Sequence, residues 1–171
     1  MGMFASGVTI ITVGSADGIP HGMTANAVMS VSLDQPLIAI AIDNRAYTNG
    51  LVRRERHFAV NILSDEQSEL ANRFAKRDAR GERLYTDVAH TLSALGDPLI
   101  DGALGQFACE VVNEHVEGDH TIWIGRTVAF THSSANGNPL VFHRGYFSST
   151  TCHLCIVRHD PVLALMAMHD S

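Results

Sequence analysis

Short apolar runs separated by turn-forming residues are the feature that most limits how this chain can fold. Runs with the length and composition of buried strands occupy residues 8–13, 36–42, 58–63, 106–116, 121–131 and 140–143. They alternate with only two short predicted helices, which disfavours a parallel doubly wound sheet. No Gly-x-Gly-x-x-Gly turn follows a strand, so a Rossmann nucleotide site is not supported. The pattern predicts a mainly β protein, an antiparallel barrel with small helices at its rim.

The two predicted helices have recognisable ends. Thr48 or Asn49 is expected to cap the first helix, which runs to Arg56. Residues 64–67 read Ser-Asp-Glu-Gln, a capping box that predicts the start of the second helix, which ends near Arg77. Residues 78–101 are irregular and polar and predict an excursion without a domain of its own. Hairpin turns are predicted at 117–120 and 136–139.

Composition and charge exclude several classes of function. The 171 residues, 46% of them hydrophobic, predict one globular domain. A net charge of -6 and an aromatic content of 6% argue against a nucleic-acid partner. No apolar run reaches membrane-spanning length, and no basic segment precedes an apolar one near the N-terminus. We therefore expect a cytoplasmic protein without a membrane partner.

The cysteines predict reduced thiols and no metal site. Cys109, Cys152 and Cys155 are an odd number, which does not suggest a disulfide framework. Cys152 and Cys155 have the spacing of metal ligands, and His159 follows them. A structural zinc site needs four such ligands, and no second pair exists in the sequence.

Residues 22–32 (GMTANAVMSVS) form an unusual extended segment, expected to bend at Ala25-Asn26. Small and hydroxyl side chains there let another group approach the main chain closely. A flat aromatic ligand fits this description, and so does a helix packed tightly against the strand. The residues of this segment alone leave both interpretations open.

Six stretches in the same order resemble the flavin reductase-like family. They are FASGVTIIT at 4–12, GMTAN at 22–26, SVSLDQPL at 30–37, FAVNIL at 58–63, GDHT at 118–121 and PLVFHRGY at 139–146. Each stretch is weak alone, but six in register are specific. The resemblance defines residues 1–147 as the family domain and leaves 148–171 as a C-terminal tail of unassigned role.

The resemblance implies both a fold and an activity. It implies a six-stranded antiparallel FMN-binding split β-barrel, a homodimer, and flavin bound near the dimer interface. The implied enzyme is an NAD(P)H:flavin oxidoreductase that reduces FMN or FAD and supplies reduced flavin to a separate monooxygenase. The sequence does not determine whether the enzyme prefers FMN or FAD, whether it prefers NADH or NADPH, or which oxygenase receives the reduced flavin.

The same resemblance assigns flavin contacts by position. The matched residues are Thr24, Ala25, Asn26, Ala27, Ser30, Ser32, Asn44, Arg45, Thr48, Asn49, Arg73 and Phe74. Residues 24–27 match the segment whose backbone meets the flavin ring, and 44–49 the loop and helix start that hold its phosphate. A helix N-terminus with a hydroxyl and an arginine suits an anion. A plain helix cap at Thr48, and a surface Arg73 beside a core Phe74, are the alternatives.

A second group is matched to the nicotinamide side. The resemblance places His120 beside the nicotinamide and flavin rings, where we expect it to position the nicotinamide or carry a proton. His143, Arg144 and Tyr146 match a further element that holds the dinucleotide by charge and stacking. The alternatives are a solvated turn histidine and a strand end with a surface arginine.

Two other functions remain as alternatives. One is a non-catalytic split barrel that binds flavin or haem for sensing or electron transfer. The other is a relative of the pyridoxamine-phosphate oxidases, which the reductase-type motifs disfavour. A reductase consumes NADH when flavin is supplied, whereas a binding module does not.

Overall fold

The computed structural model describes residues 3–76, 82–133 and 137–150. Their elements, in chain order, are β1 (Ser6–Gly7), β2 (Thr9–Val13), β3 (His21–Ala25), β4 (Val28–Ser32), β5 (Leu37–Asp43), α1 (Tyr47–Glu55), β6 (His57–Ile62), a 3-10 turn (Asp65–Gln67), α2 (Ser68–Phe74), α3 (Glu82–Tyr85), β7 (His90–Leu92), β8 (Pro98–Ile100), β9 (Gly105–Glu117), β10 (His120–His132), β11 (Leu140–His143) and β12 (Tyr146–Ser149).

The main sheet has to curl because of how its two edges are connected. Its seven strands lie in the order β3-β2-β6-β9-β10-β5-β4, and all neighbours are antiparallel. The two edge strands are consecutive in the chain and are joined by Asn26-Ala27 alone. In a flat sheet the edges would be about 29 Å apart, whereas this link reaches only about 10 Å. The sheet therefore closes into a barrel that is open between its edge strands.

The mainly β prediction is confirmed, but the barrel contains more strands than predicted. The expected barrel had six strands, and the observed sheet has seven. A three-stranded sheet (β1-β11-β12) and a two-stranded ribbon (β7-β8) are added to it. Of these added strands, only β11 was predicted, at 140–143; the others have two to four residues each, too few to show a period of two in the sequence.

The prediction of an irregular 78–101 segment is wrong in part, because α3 and the β7-β8 ribbon lie within it. Buried polar groups attach this ribbon to the barrel. The Oδ1 atom of Asn61 accepts a hydrogen bond from the Ile100 amide at 2.8 Å. Asp97, fully buried, accepts one from the Gly14 amide and lies 2.8 Å from Nδ1 of His57. That hydrogen bond raises the pKa of His57.

Two apolar clusters fill the structure. The first includes Ile11, Ile40, Phe58 and Trp123 from the strands together with Val52 of α1. The second packs α2 and α3 against β2 and β11, and its buried residues are Val8, Ile10, Leu63, Ala71, Phe74, Leu84, Tyr85, Ile100 and Leu140. No helix in the described part of the chain is long and apolar enough to span a membrane.

The predicted helix ends are partly correct. The capping box is confirmed: Ser64 and Gln67 satisfy each other's main chain before the 3-10 turn that precedes α2. The expected cap of α1 is wrong, since Ala46 is the N-cap and Thr48 and Asn49 lie inside the first turn. Both side chains are 1% exposed, so they belong to the core rather than to the helix end.

Several other boundaries follow the sequence closely. Glu55 ends α1, and Arg56 stops it with a left-handed backbone (φ 62°). The described end of α2 is Phe74, and Arg77 lies outside the described residues. The hairpin between β9 and β10 is confirmed, with His120 as the first residue of β10. Part of the turn predicted at 136–139 also lies outside the described residues.

The first half of the small-residue segment packs against α2, and the link that follows it is exposed. A Cβ atom on Gly22 would lie 2.7 Å from the Phe74 ring, and the Thr24 hydroxyl donates a 2.6 Å hydrogen bond to the Ala71 carbonyl. The first half therefore packs against α2, as the helix-packing interpretation required. The bend falls at Asn26-Ala27, where the side chains are exposed.

We expect Gly22→Ala to destabilise the protein by about 1–3 kcal/mol, because the new methyl group overlaps the Phe74 ring and crowds the Tyr85 hydroxyl. Gly50→Ala is the matched control. Gly50 is exposed within α1 with nothing near its Cβ position, so this change should stabilise by about 0.5–1 kcal/mol. Urea unfolding measures both, and equal effects of the two substitutions would contradict the packing described.

Candidate functional site

One end of the barrel brings together the loop after β5 and the turn between β9 and β10. The Asn44 amide donates to the Asp119 carbonyl at 2.9 Å, and the Asn44 side chain donates to the Gly118 carbonyl at 3.2 Å. His120 pairs with Asp43 across the two strands. Site residues predicted on two separate segments, Asn44 and Arg45 on one and His120 on the other, therefore meet at this end.

Two exposed ion pairs give this end its charge pattern. Arg45 contacts Asp43 at 2.9 Å, and Nδ1 of His120 lies 2.7 Å from a carboxylate oxygen of Asp119. Arg45 lowers the pKa of Asp43, and the hydrogen bond from His120 lowers that of Asp119. Because the Arg45 side chain is 76% exposed, its guanidinium is accessible to an anion at the start of α1.

Asn49 faces the interior instead of this loop's outer surface. Its Oδ1 atom accepts a 2.8 Å hydrogen bond from Nε1 of Trp123, and its Nδ2 atom lies 3.4 Å from Oγ1 of Thr121. Thr48 is buried beside it. The phosphate contact assigned to these two side chains remains a prediction, and in this structure both are part of the core.

Sequence patterns did not identify the partners of these residues. Asp43, Asp119, Thr121 and Trp123 all contact a predicted site residue directly. One signal was available, because Thr121 and the single tryptophan are two positions apart on a predicted strand and so share a face.

The link between the edge strands forms a second group. Ala25 is buried and its carbonyl accepts from the Thr9 hydroxyl, whereas Asn26 and Ala27 are exposed. The Asn26 side chain donates to Ser6, which pairs with a residue of β11. The exposed residues of this link therefore lie beside the β11-β12 hairpin.

That hairpin carries the other residues matched to the nicotinamide side. His143 and Tyr146 pair directly, and Arg144 and Gly145 form the turn with positive φ angles of 52° and 87°. The Tyr146 side chain is 77% exposed. The β1-β11 pairing thus brings the predicted flavin and nicotinamide elements next to each other through Asn26.

The two predicted serines lie on the edge strand β4. Ser30 is exposed and Ser32 is half-buried, on either side of a bulge in the pairing with β5. Met29, Val31 and Leu33 alternate with them and are also exposed. The edge of the barrel is therefore a mixed hydroxyl and apolar surface.

Arg73 and Phe74 lie apart from the Asn44 loop. Phe74 is buried edge-on against Tyr85, with ring centres 5.4 Å apart, and Arg73 donates to the Thr86 carbonyl. Arg73 also borders a cavity of about 300 Å³, whose other charged residues are Glu66, Glu69, Asp87 and Asp101. These acidic residues would repel the flavin phosphate, so this cavity does not support a phosphate contact for Arg73. The flavin contact of Arg73 and Phe74 remains a prediction.

Metal-binding groups were not predicted, and the described ranges contain no cluster of three or more candidate ligands. Cys152, Cys155 and His159 lie outside the described residues. Burial raises the pKa of the Cys109 thiol to about 11, so it stays protonated at neutral pH.

Comparisons with known proteins agree over most of the chain. The family model described as flavin reductase like domain matches residues 1–151. An NADH-dependent flavin reductase of Rhodococcus sp is 39% identical over 151 residues, covering 87% of this chain and 82% of the relative. The reductase component of a 4-nitrophenol 4-monooxygenase/4-nitrocatechol 2-monooxygenase of Rhodococcus opacus is 36% identical and covers 86% of this chain and 76% of its own.

A solved structure shares the same fold. It is the NADH:FAD oxidoreductase of Streptomyces globisporus C-1027 in complex with NAD and FAD fragments. It superimposes with a TM-score of 0.79 at 34% identity and covers 86% of each chain. Sequence and structural similarity therefore extend over the whole barrel.

Proposed function

Because the chain belongs to the flavin reductase-like family, we propose that it is an NAD(P)H:flavin oxidoreductase that reduces FMN or FAD. The supporting observation is a match along 151 residues that includes both elements of the candidate site. Several relatives are reductase components of monooxygenases, which supports a separate oxygenase as the recipient of reduced flavin. None of these names favours a non-catalytic binding module.

The reaction requires positioning more than covalent chemistry from the protein. When bound, nicotinamide and flavin supply the hydride chemistry themselves. The chain has to hold the two rings at reacting distance and to place donors where negative charge grows. The exposed link Asn26-Ala27, beside the His143 hairpin, suits the first task.

We assign the flavin phosphate to Arg45, with Asn44 holding the loop beside it. Arg45 is exposed at the N-terminus of a nine-residue helix, where the helix dipole also favours an anion. Asp43 is already paired with Arg45, so an incoming phosphate competes with that carboxylate. The contact is therefore adjustable, which suits a flavin that arrives and leaves.

The remaining predicted contacts divide according to accessibility. Thr24 and Ala25 can offer only main-chain atoms, because the hydroxyl bonds to Ala71 and the methyl is buried. Ser30 can offer its exposed hydroxyl. We place His120, Arg144 and Tyr146 on the nicotinamide side, with His120 orienting the ring.

We propose a homodimer formed at the apolar edge of the barrel. Met29, Val31 and Leu33 are 63%, 46% and 80% exposed on or beside one edge strand, and large apolar side chains grouped on an exposed edge favour burial. Sedimentation equilibrium should give twice the chain mass of 18.5 kDa, and Val31→Lys should shift the protein toward the monomer. A wild-type monomer at micromolar concentration would contradict this proposal.

We also propose that the protein works in the cytoplasm.

The purified protein should oxidise NADH only when flavin is added, because the flavin acts as a diffusible acceptor. Absorbance at the NADH wavelength follows the rate with FMN, FAD or no flavin, and NADPH replaces NADH in a parallel series. Flavin-dependent turnover supports the reductase. A folded protein that turns over with neither flavin and neither nucleotide would exclude it.

Two substitutions should affect flavin binding and nicotinamide binding separately. Arg45→Gln should raise KM for FMN about tenfold while leaving riboflavin unaffected, since riboflavin carries no phosphate. His120→Ala should raise KM for NADH and leave KM for FMN unchanged. Arg54→Gln is the matched control, an exposed arginine paired with Glu55 on the same helix. If Arg45→Gln impaired FMN and riboflavin equally, the phosphate assignment would be wrong.

A further inference from the structure

A chain of side-chain hydrogen bonds runs from the core of the barrel to the Asn44 loop. It begins at Trp123, which is 0% exposed, and passes through Asn49 at 1%. Nε1 of Trp123 donates to Oδ1 of Asn49 at 2.8 Å, and Nδ2 of Asn49 lies 3.4 Å from Oγ1 of Thr121 and 3.5 Å from Oδ1 of Asn44. The Thr121 hydroxyl then donates to Oδ1 of Asn44 at 2.7 Å.

The direction of every bond in this chain follows from chemistry. An indole N–H can only donate, so the Asn49 atom facing it must be the oxygen. The amide nitrogen of Asn49 therefore points to Thr121 and Asn44, and the Thr121 hydroxyl is left to donate onward. Oδ1 of Asn44 accepts from Thr121, which turns Nδ2 of Asn44 toward the Gly118 carbonyl.

Two cations cover the buried end of the chain. The guanidinium groups of Arg53 and Arg56 lie 5.3 and 6.0 Å from the centre of the Trp123 ring, and Glu114 contacts both. The indole is thereby shielded from water. Buried donors and acceptors are costly when unpaired, so this chain has a strong preference for one arrangement.

We propose that Thr121 and Trp123 are positioning residues of the cofactor site: Thr121 acts on Asn44 directly, and Trp123 acts on it through Asn49. Neither touches the surface at which we place the flavin, so neither is a catalytic residue. By fixing the Asn44 amide, they fix both the loop that carries Arg45 and the turn that carries His120. This inference rests on the proposed function, since it assigns the purpose of the Asn44 loop.

Thr121→Val tests the proposal, because it keeps the shape of the side chain and removes the hydroxyl. Thr12→Val is a matched control: Thr12 is also 0% exposed, and its hydroxyl donates one hydrogen bond to a carbonyl, that of Pro98. Thr121→Ser retains the hydroxyl and serves as the rescue variant. Urea unfolding shows whether the two valine variants lose similar stability.

Two readouts distinguish positioning from general destabilisation. Equilibrium dialysis with FMN, without NADH, should show Kd raised about tenfold in Thr121→Val and within about twofold of wild type in Thr12→Val and Thr121→Ser. Hydrogen exchange should show lower protection of the Asn44 amide, which donates to Asp119, in Thr121→Val alone. Equal effects of the two valine substitutions on both readouts would overturn the proposal.

The hydrogen-exchange measurement also tests the role of Thr121 independently of the proposed flavin reductase function. If the wild-type protein bound no flavin, the proposed function would fail, while the Asn44 amide would still report whether Thr121 holds the loop. Should Thr121→Val not fold, Trp123→Phe removes the first donor and keeps an aromatic ring in the core. Unchanged Asn44 protection in that variant would overturn the proposal equally.

Discussion

The connection of the two sheet edges through Asn26-Ala27 is the constraint on which the rest of this structure depends. Two residues cannot cross the width of a flat seven-stranded sheet, so β3 and β4 must approach each other and the sheet must curl. Curling encloses the apolar cluster around Trp123. It also places the exposed residues of the link beside the β11-β12 hairpin. The same constraint thus creates the core and one half of the candidate site.

The other half of the site depends on polar groups placed where the curled strands end. β5 and β10 pair in register up to Asp43 and His120, which brings the loop after one strand against the turn before the other. The charges at this end are paired within short segments, Arg45 with Asp43 and His120 with Asp119, and both pairs are exposed. Exposed pairs contribute little to stability and exchange partners readily. This end of the barrel is therefore suited to anionic ligands that bind and leave, while the buried hydrogen bonds below it keep the loop in place.

The sequence predicted the parts of the fold that depend on local pattern. The strands predicted from apolar runs, the capping box at Ser64 and the hairpin before His120 are confirmed, because each depends on residues close together in the chain. The cap of α1 was wrong because Asn49 is held by Trp123, a partner far away in the chain that no local rule can identify. The β7-β8 ribbon was missed for a related reason, since Asn61 and His57 of a distant strand attach it. Asn44, Arg45 and His120 were selected through family resemblance, and their proximity follows from the β5-β10 pairing.

The most direct test of this account is a crystal structure of the protein grown with FMN. The account predicts the phosphate within hydrogen-bonding distance of Arg45 and the ring against the main chain of Asn26-Ala27, with Asn44 still bonded to Thr121. FMN seated instead in the cavity bordered by Arg73, or ordered without any contact to the Asn44 loop, would contradict the assignment of the site.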